Sequence, residues 1–94
     1  MAGPTQIDIH AFEQIVQQHT QVQEYIKQQQ TQVSSEVENA ASQNSGAMIQ
    51  SLVQVHEEWD QKMTDVNNNL QQMIDAMKTT LSKLQAQDSQ NVIR

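Results

Sequence analysis

The sequence has no cysteine, one proline, two glycines and one each of tryptophan, tyrosine and phenylalanine. Without cysteine there is no disulfide framework, no thiolate zinc site and no cysteine nucleophile. So little glycine and proline argues against a sheet protein built on many turns. Basic residues are also scarce: five Lys and Arg stand against eleven Asp and Glu, for a net charge of −6. Phosphate neutralisation requires clustered cations, so a nucleic-acid partner is not expected. No apolar run approaches the roughly 18–20 residues of a spanning helix. The residues from Met1 onward show no basic region followed by an apolar stretch, so no cleaved secretory signal is read there. The expectation is a chain made as a soluble cytoplasmic protein, with any export following a route that reads no N-terminal signal.

What is abundant is glutamine, 19 of the 94 residues. The hydrophobic fraction is 36%, below the roughly 45–50% of ordinary globular domains. Composition alone leaves disorder open, and periodicity decides. Residues 8–41 hold no glycine or proline. Phe12, Ile15, Val22, Ile26 and Val33, completed by the polar His19 and Gln29, follow a 3-4 spacing, widened by Ile9, Val16 and Val37. This predicts an amphipathic helix, with Thr5 or Asp8 as its cap. A second stripe runs through Ile49, Leu52, His56, Trp59, Met63, Val66, Leu70, Met73, Met77, Leu81 and Leu84, broadened by Met48, Val53, Val55 and Ile74. Asn67-Asn68-Asn69 is its weak point, since asparagine is a poor helix former. Between the stripes, Ser42 to Ala47 carry the one turn signal in the body of the chain.

The expected fold is therefore all-α: a single helical-hairpin domain over 1–94. Helix 1 covers about 8–41, the turn about 42–47 and helix 2 about 48–86, with a frayed tail over 87–94. Two facing helices cannot bury stripes this wide. Pairing with a second hairpin into a four-helix bundle would cover them, so the chain reads as half of a folding unit. The expected dimer and hairpin seam comprises Phe12, Ile15, Val22, Ile26, Val33, Leu52, Trp59, Met63, Val66, Leu70, Met73, Met77 and Leu81.

The chain resembles the WXG-motif family of small type VII secretion substrates, of the early secreted antigen type. The likeness is closest over Val55-His56-Glu57-Glu58-Trp59-Asp60-Gln61-Lys62 and Val66-Asn67-Asn68-Asn69-Leu70-Gln71. Where that branch places Trp-x-Gly in the turn, this chain reads Asn44-Ser45-Gly46, keeping the glycine and losing the tryptophan. The family's tail signal, Tyr-x-x-x-Asp or Tyr-x-x-x-Glu, has no counterpart after helix 2, and Tyr25 is followed four residues on by Gln29. The resemblance implies a dimer of hairpins, with a heterodimer slightly ahead of a homodimer, exported through a membrane ATPase that reads the partner's tail. Localisation would then be secreted or cell-surface. The alternative is a helical adaptor for a larger secreted toxin or effector, itself retained.

No enzyme is expected. The carboxylates are spread over exposed faces, and no phosphate loop or nucleophile motif occurs. No cofactor or metal is expected, since His10, His19 and His56 lack ligand spacing. Membrane contact is not expected, because the polar faces are poor in lysine.

Overall fold

In a computed structural model, the structure describes the backbone of residues 8–93 and the side chains of residues 8–87. Two helices, α1 (Ile9–Gln43) and α2 (Ala47–Ile93), pack against each other as an antiparallel hairpin. The helices account for the whole described chain except residue 8 and the turn.

Each boundary has a local cause. Asp8 is extended and its carboxylate accepts a hydrogen bond from the Ala11 backbone N–H at 3.2 Å, capping α1. This relieves one of the free donors of the first turn. Thr5, the other expected cap, lies outside the described residues. At the far end Asn44 leaves the helix in an extended conformation. Its side-chain amide donates to the Ala40 carbonyl at 3.0 Å, so it closes α1 rather than opening α2. Gly46 then turns the chain with φ +115, and its carbonyl accepts the Gln50 N–H at 3.1 Å. An L side chain is disfavoured at that φ, and glycine is not. The turn is thus shorter than the sequence spacing indicated. α2 also runs past the expected fraying point at residue 86 to Ile93, since no glycine or proline interrupts it. The Asn67–Asn69 triplet stays helical because Asn67 itself is buried in the helix–helix contact, with half-buried Met63 and Leu70 on the same face.

Side-chain hydrogen bonds between the helices define the register. Gln23 meets Asn67, Gln30 meets Asp60, and Ser34 meets His56. In each pair the two residues are equally far along the chain from residue 45, so the turn is the midpoint and the helices face each other without offset. The seam then follows by counting. On α1 it runs through Ile9, Phe12, Val16, His19, Gln23, Ile26, Gln30, Val33, Val37 and Ala40. On α2 it runs through Ile49, Val53, His56, Asp60, Met63, Asn67, Leu70, Ile74, Met77, Leu81 and Leu84. All of these are buried or half-buried. The unbroken 3-4 spacing is that of a helix pair packed knobs into holes.

The enclosed core is small. Among the described residues only Val16 and Ile74 are buried apolar side chains, at 6% and 1% exposure; the register places them opposite each other. The molecule measures 72 × 18 × 15 Å. Its radius of gyration is 21.1 Å, against about 12 Å for a compact chain of this length. Its accessible surface is 7361 Å², about a third more than the roughly 5,500 Å² of a compact protein of this mass.

No neighbouring atom lies within 4 Å of a Cβ built at Gly46, so a substitution there acts through the backbone alone. Gly46→Ala is expected to lower stability by about 1–2 kcal/mol, the cost of a side chain in left-handed backbone. Urea unfolding followed by helical circular dichroism measures it, and an unchanged midpoint would contradict the strain.

Candidate functional site: an apolar flank

A helix in this register has a seam and two flanks. The hydrogen bonds from Gln23 to Gln71 (3.0 Å) and from Gln30 to Thr64 (3.1 Å) mark one flank of α2. On α1 the same side carries Glu13, Thr20, Lys27 and Ser34. With Glu57, Gln71 and Lys78 on α2, this is a wholly polar face. A shallow open groove on it is lined by Lys27, Gln30, Thr31, Ser34, Glu38 and Asp60.

The opposite flank carries the exposed hydrophobic residues. A two-fold axis relates antiparallel helices and keeps equivalent positions on one face. The residues just before each first seam position therefore share a side: Ile15 and Val22 on α1, Leu52, Trp59, Val66 and Met73 on α2. The next positions outward hold Tyr25, Met48 and Val55. Among the described residues, eight large hydrophobic side chains stand exposed: Ile15, Val22, Tyr25, Met48, Leu52, Val55, Val66 and Met73. All eight fall on this one flank, and half-buried Trp59 lies among them, its indole 6.0 Å from the His56 ring. Scattered exposed apolar residues are ordinary, but their gathering on one flank, interrupted there by Gln29 and Glu36, marks a candidate interaction surface.

The sequence stripe therefore divides into two roles. Phe12, Ile26, Val33, Met63, Leu70, Met77 and Leu81 lie in the seam between α1 and α2. Ile15, Val22, Leu52, Trp59, Val66 and Met73 lie on the apolar flank, because two helices in contact cover only the stripe that faces the other helix. Gln29, read from the sequence as a seam residue, belongs to the flank row of Ile15 and Val22. The seam position is taken by Gln30. The turn residues Asn44, Ser45 and Gly46 are exposed at the tip, about 20 Å from Trp59 along α2 at 1.5 Å per residue.

Sequence reasoning missed the polar layers of the seam. Gln23 donates to the Asn67 backbone carbonyl, and the Asn67 amide donates to the Gln23 carbonyl, both at 3.4 Å. One heptad nearer the turn, the Gln30 amide donates to the Asp60 carboxylate at 3.0 Å and to its backbone carbonyl at 3.2 Å. Counting 3-4 steps from Ile9 through Val16 to Val37 would have placed Gln23 and Gln30 in the seam. Polar pairs of this kind fix register because an offset leaves them unpaired. Asn67 is only 7% exposed and its side-chain oxygen has no hydrogen-bond partner.

The histidines are separate from one another. The His19 Nδ1 faces the Ile15 carbonyl at 2.8 Å, and the His56 Nε2 faces the Ser34 hydroxyl at 3.3 Å. Their seam layers are about 22 Å apart by helical rise. Among the described residues no group of three metal-ligating side chains converges, and no helix is long and apolar enough to cross a membrane.

The chain matches no known family model, and searches of curated proteins and of solved structures also give no match. The hairpin and its apolar flank are what the functional reading rests on.

Asn67→Leu removes the orphaned oxygen from the seam while keeping the volume. It is expected to raise stability by about 1–2 kcal/mol, the usual cost of an unsatisfied buried polar group. Gln30→Leu is expected to do the reverse, since it strips the half-buried Asp60 carboxylate of its donor. Opposite shifts of the urea midpoint would establish the distinction, and a loss of stability in both would refute it.

Proposed function

We propose that this protein is a non-enzymatic helical-hairpin binding module that works by pairing its apolar flank with a second helical hairpin to form a four-helix bundle. The observation that carries the reading is that, among the described residues, the exposed large hydrophobic side chains all fall on one flank. Burying that flank is favourable by roughly 25 cal/mol per Å² of apolar area. The opposite face, with its glutamines and charges, keeps the assembly soluble.

We further propose that the paired protein is a type VII secretion substrate of the early secreted antigen type, exported without a signal peptide. The support is the two-helix hairpin of family length, the glycine kept at the tip and the Trp59 segment. A membrane ATPase would engage the complex through the partner's tail. No nucleic acid, cofactor or membrane contact enters this reading. A second reading is a retained adaptor that pairs with a larger secreted toxin through the same flank.

Expression of a tagged chain with its secretion locus separates the two. Appearance in the culture medium, lost when the ATPase is inactivated, supports the substrate reading; retention beside a secreted partner supports the adaptor. For the binding flank, Val66→Glu is expected to weaken pairing at least tenfold while leaving the helical signal intact, because Val66 is exposed in the single hairpin. In the unsubstituted protein the melting temperature should rise with concentration. A concentration-independent melting point together with a monomeric mass for every hairpin mixture tested would refute pairing.

A further inference from the structure

We infer that the hairpin has a second seam, reached by turning each helix about 50° on its own axis, half the step between consecutive residues, and that this turn folds the apolar flank inward. The device regulates the pairing function proposed above and rests on it: a hairpin in the second seam offers a partner no apolar flank.

Each helix carries three rows at heptad spacing, and two helices in contact can bury only two of them. The middle row, with Ile26 and Val33 on α1 and Met63 and Leu70 on α2, faces inward in either seam. In this structure its companion is the row of Val16, Gln23 and Gln30 on α1 and of Asp60, Asn67 and Ile74 on α2. The two central layers of that row are polar. Gln23 and Asn67 meet through hydrogen bonds of 3.4 Å, and the Asn67 side-chain oxygen is buried without a partner. A buried orphan works against the seam that creates it. Turning the helices carries Asn67 outward, where water satisfies the oxygen.

The flank row can take the vacated place. From the observed register, a relative slide of about 1.5 Å, one residue's rise, brings Ile15 level with Met73, Val22 with Val66 and Gln29 with Trp59. Val22 and Val66 thereby replace Gln23 and Asn67 at the middle of the hairpin. Gln29 and Trp59 are already half-buried, while the other two layers stand exposed. One layer opposes the change. Glu36 comes level with Leu52, and a carboxylate held against leucine is costly without a partner. Each seam therefore has a defect the other lacks, an orphaned amide oxygen in one and a misplaced carboxylate in the other. Neither has a decisive advantage, and a partner that covers the flank draws the chain into the first seam.

The absence of cysteine makes the test direct. Val22→Cys with Val66→Cys places two thiols on the apolar flank. Thr20→Cys with Gln71→Cys places the mirror-image pair on the polar flank, and all four positions are exposed. In the first seam the two pairs are equally offset from the helix contact and close alike. A disulfide needs its Cα atoms within about 7 Å, so the turn admits the flank pair and excludes the polar one. With oxidised glutathione as the oxidant, the single-chain disulfide of the flank pair should form about tenfold faster than that of the polar pair. Adding Asn67→Leu should bring the ratio back towards one, and adding Glu36→Leu should raise it. Equal closure of the two pairs, or faster closure of the polar pair, overturns the second seam. Trp59, the only tryptophan, gives a reading without introduced thiols. Its quenching by acrylamide should be weaker in Glu36→Leu than in the unsubstituted protein and stronger in Asn67→Leu. Identical quenching in all three also overturns the second seam. Both readings are taken on the single chain at low concentration, so their outcome does not depend on whether pairing occurs.

Discussion

Two helices lying side by side can each hide only the stripe that faces the other. Everything else in this molecule follows from that limit. A third layer would be needed to cover a wider stripe, and the hairpin has none. Evolution of such a chain has two outlets for its extra hydrophobic surface: scatter it, or gather it where a partner can cover it. Here it is gathered. The seam rows and the flank row are each spaced by heptads, one residue apart in phase, so a single wide stripe in the sequence divides into a covered line and an exposed one.

The seam itself is an uneven mixture. Apolar layers such as Val16 with Ile74 supply burial. The amide layers at Gln23 with Asn67 and Gln30 with Asp60 contribute little net stability, and Asn67 leaves one buried oxygen unpaired. Their effect is positional. A slip of one helical turn would separate both pairs at once, and it would also move Ile15 and Val22 out of line with the α2 row. Register in the seam therefore governs the shape of the flank. The glycine at the tip serves the same end, since its left-handed backbone sets where α2 begins relative to α1.

Charge follows the same division. Between positions 9 and 87 the acids are kept off the flank with the exception of Glu36. The long polar face is filled by glutamine and short hydroxyl side chains, which bridge the helices without attracting a charged partner. Low hydrophobicity overall and an apolar flank are therefore compatible, because the apolar residues are few but concentrated in the seam and on one side of it.

The hairpin was legible in the sequence for simple reasons. The 3-4 spacing of apolar residues, the long stretches without glycine or proline and the single turn signal at Ser42–Gly46 each depend only on local geometry, so the all-α architecture and the surplus of apolar surface could be read directly. The division of that surface could not. Ile15 and Val16 both fit an apolar stripe, and so do Leu52 and Val53. Which of each pair meets the other helix depends on the relative rotation and offset of α1 and α2, which no local rule contains. Gln29 and Gln30 were confused for the same reason. Sequence by itself determined that there are two amphipathic helices with more hydrophobic surface than they can bury together. Tertiary packing decided which residues turn inward, through cross-helix pairs 30 and 44 positions apart in the chain, and thereby left one flank apolar and the other polar.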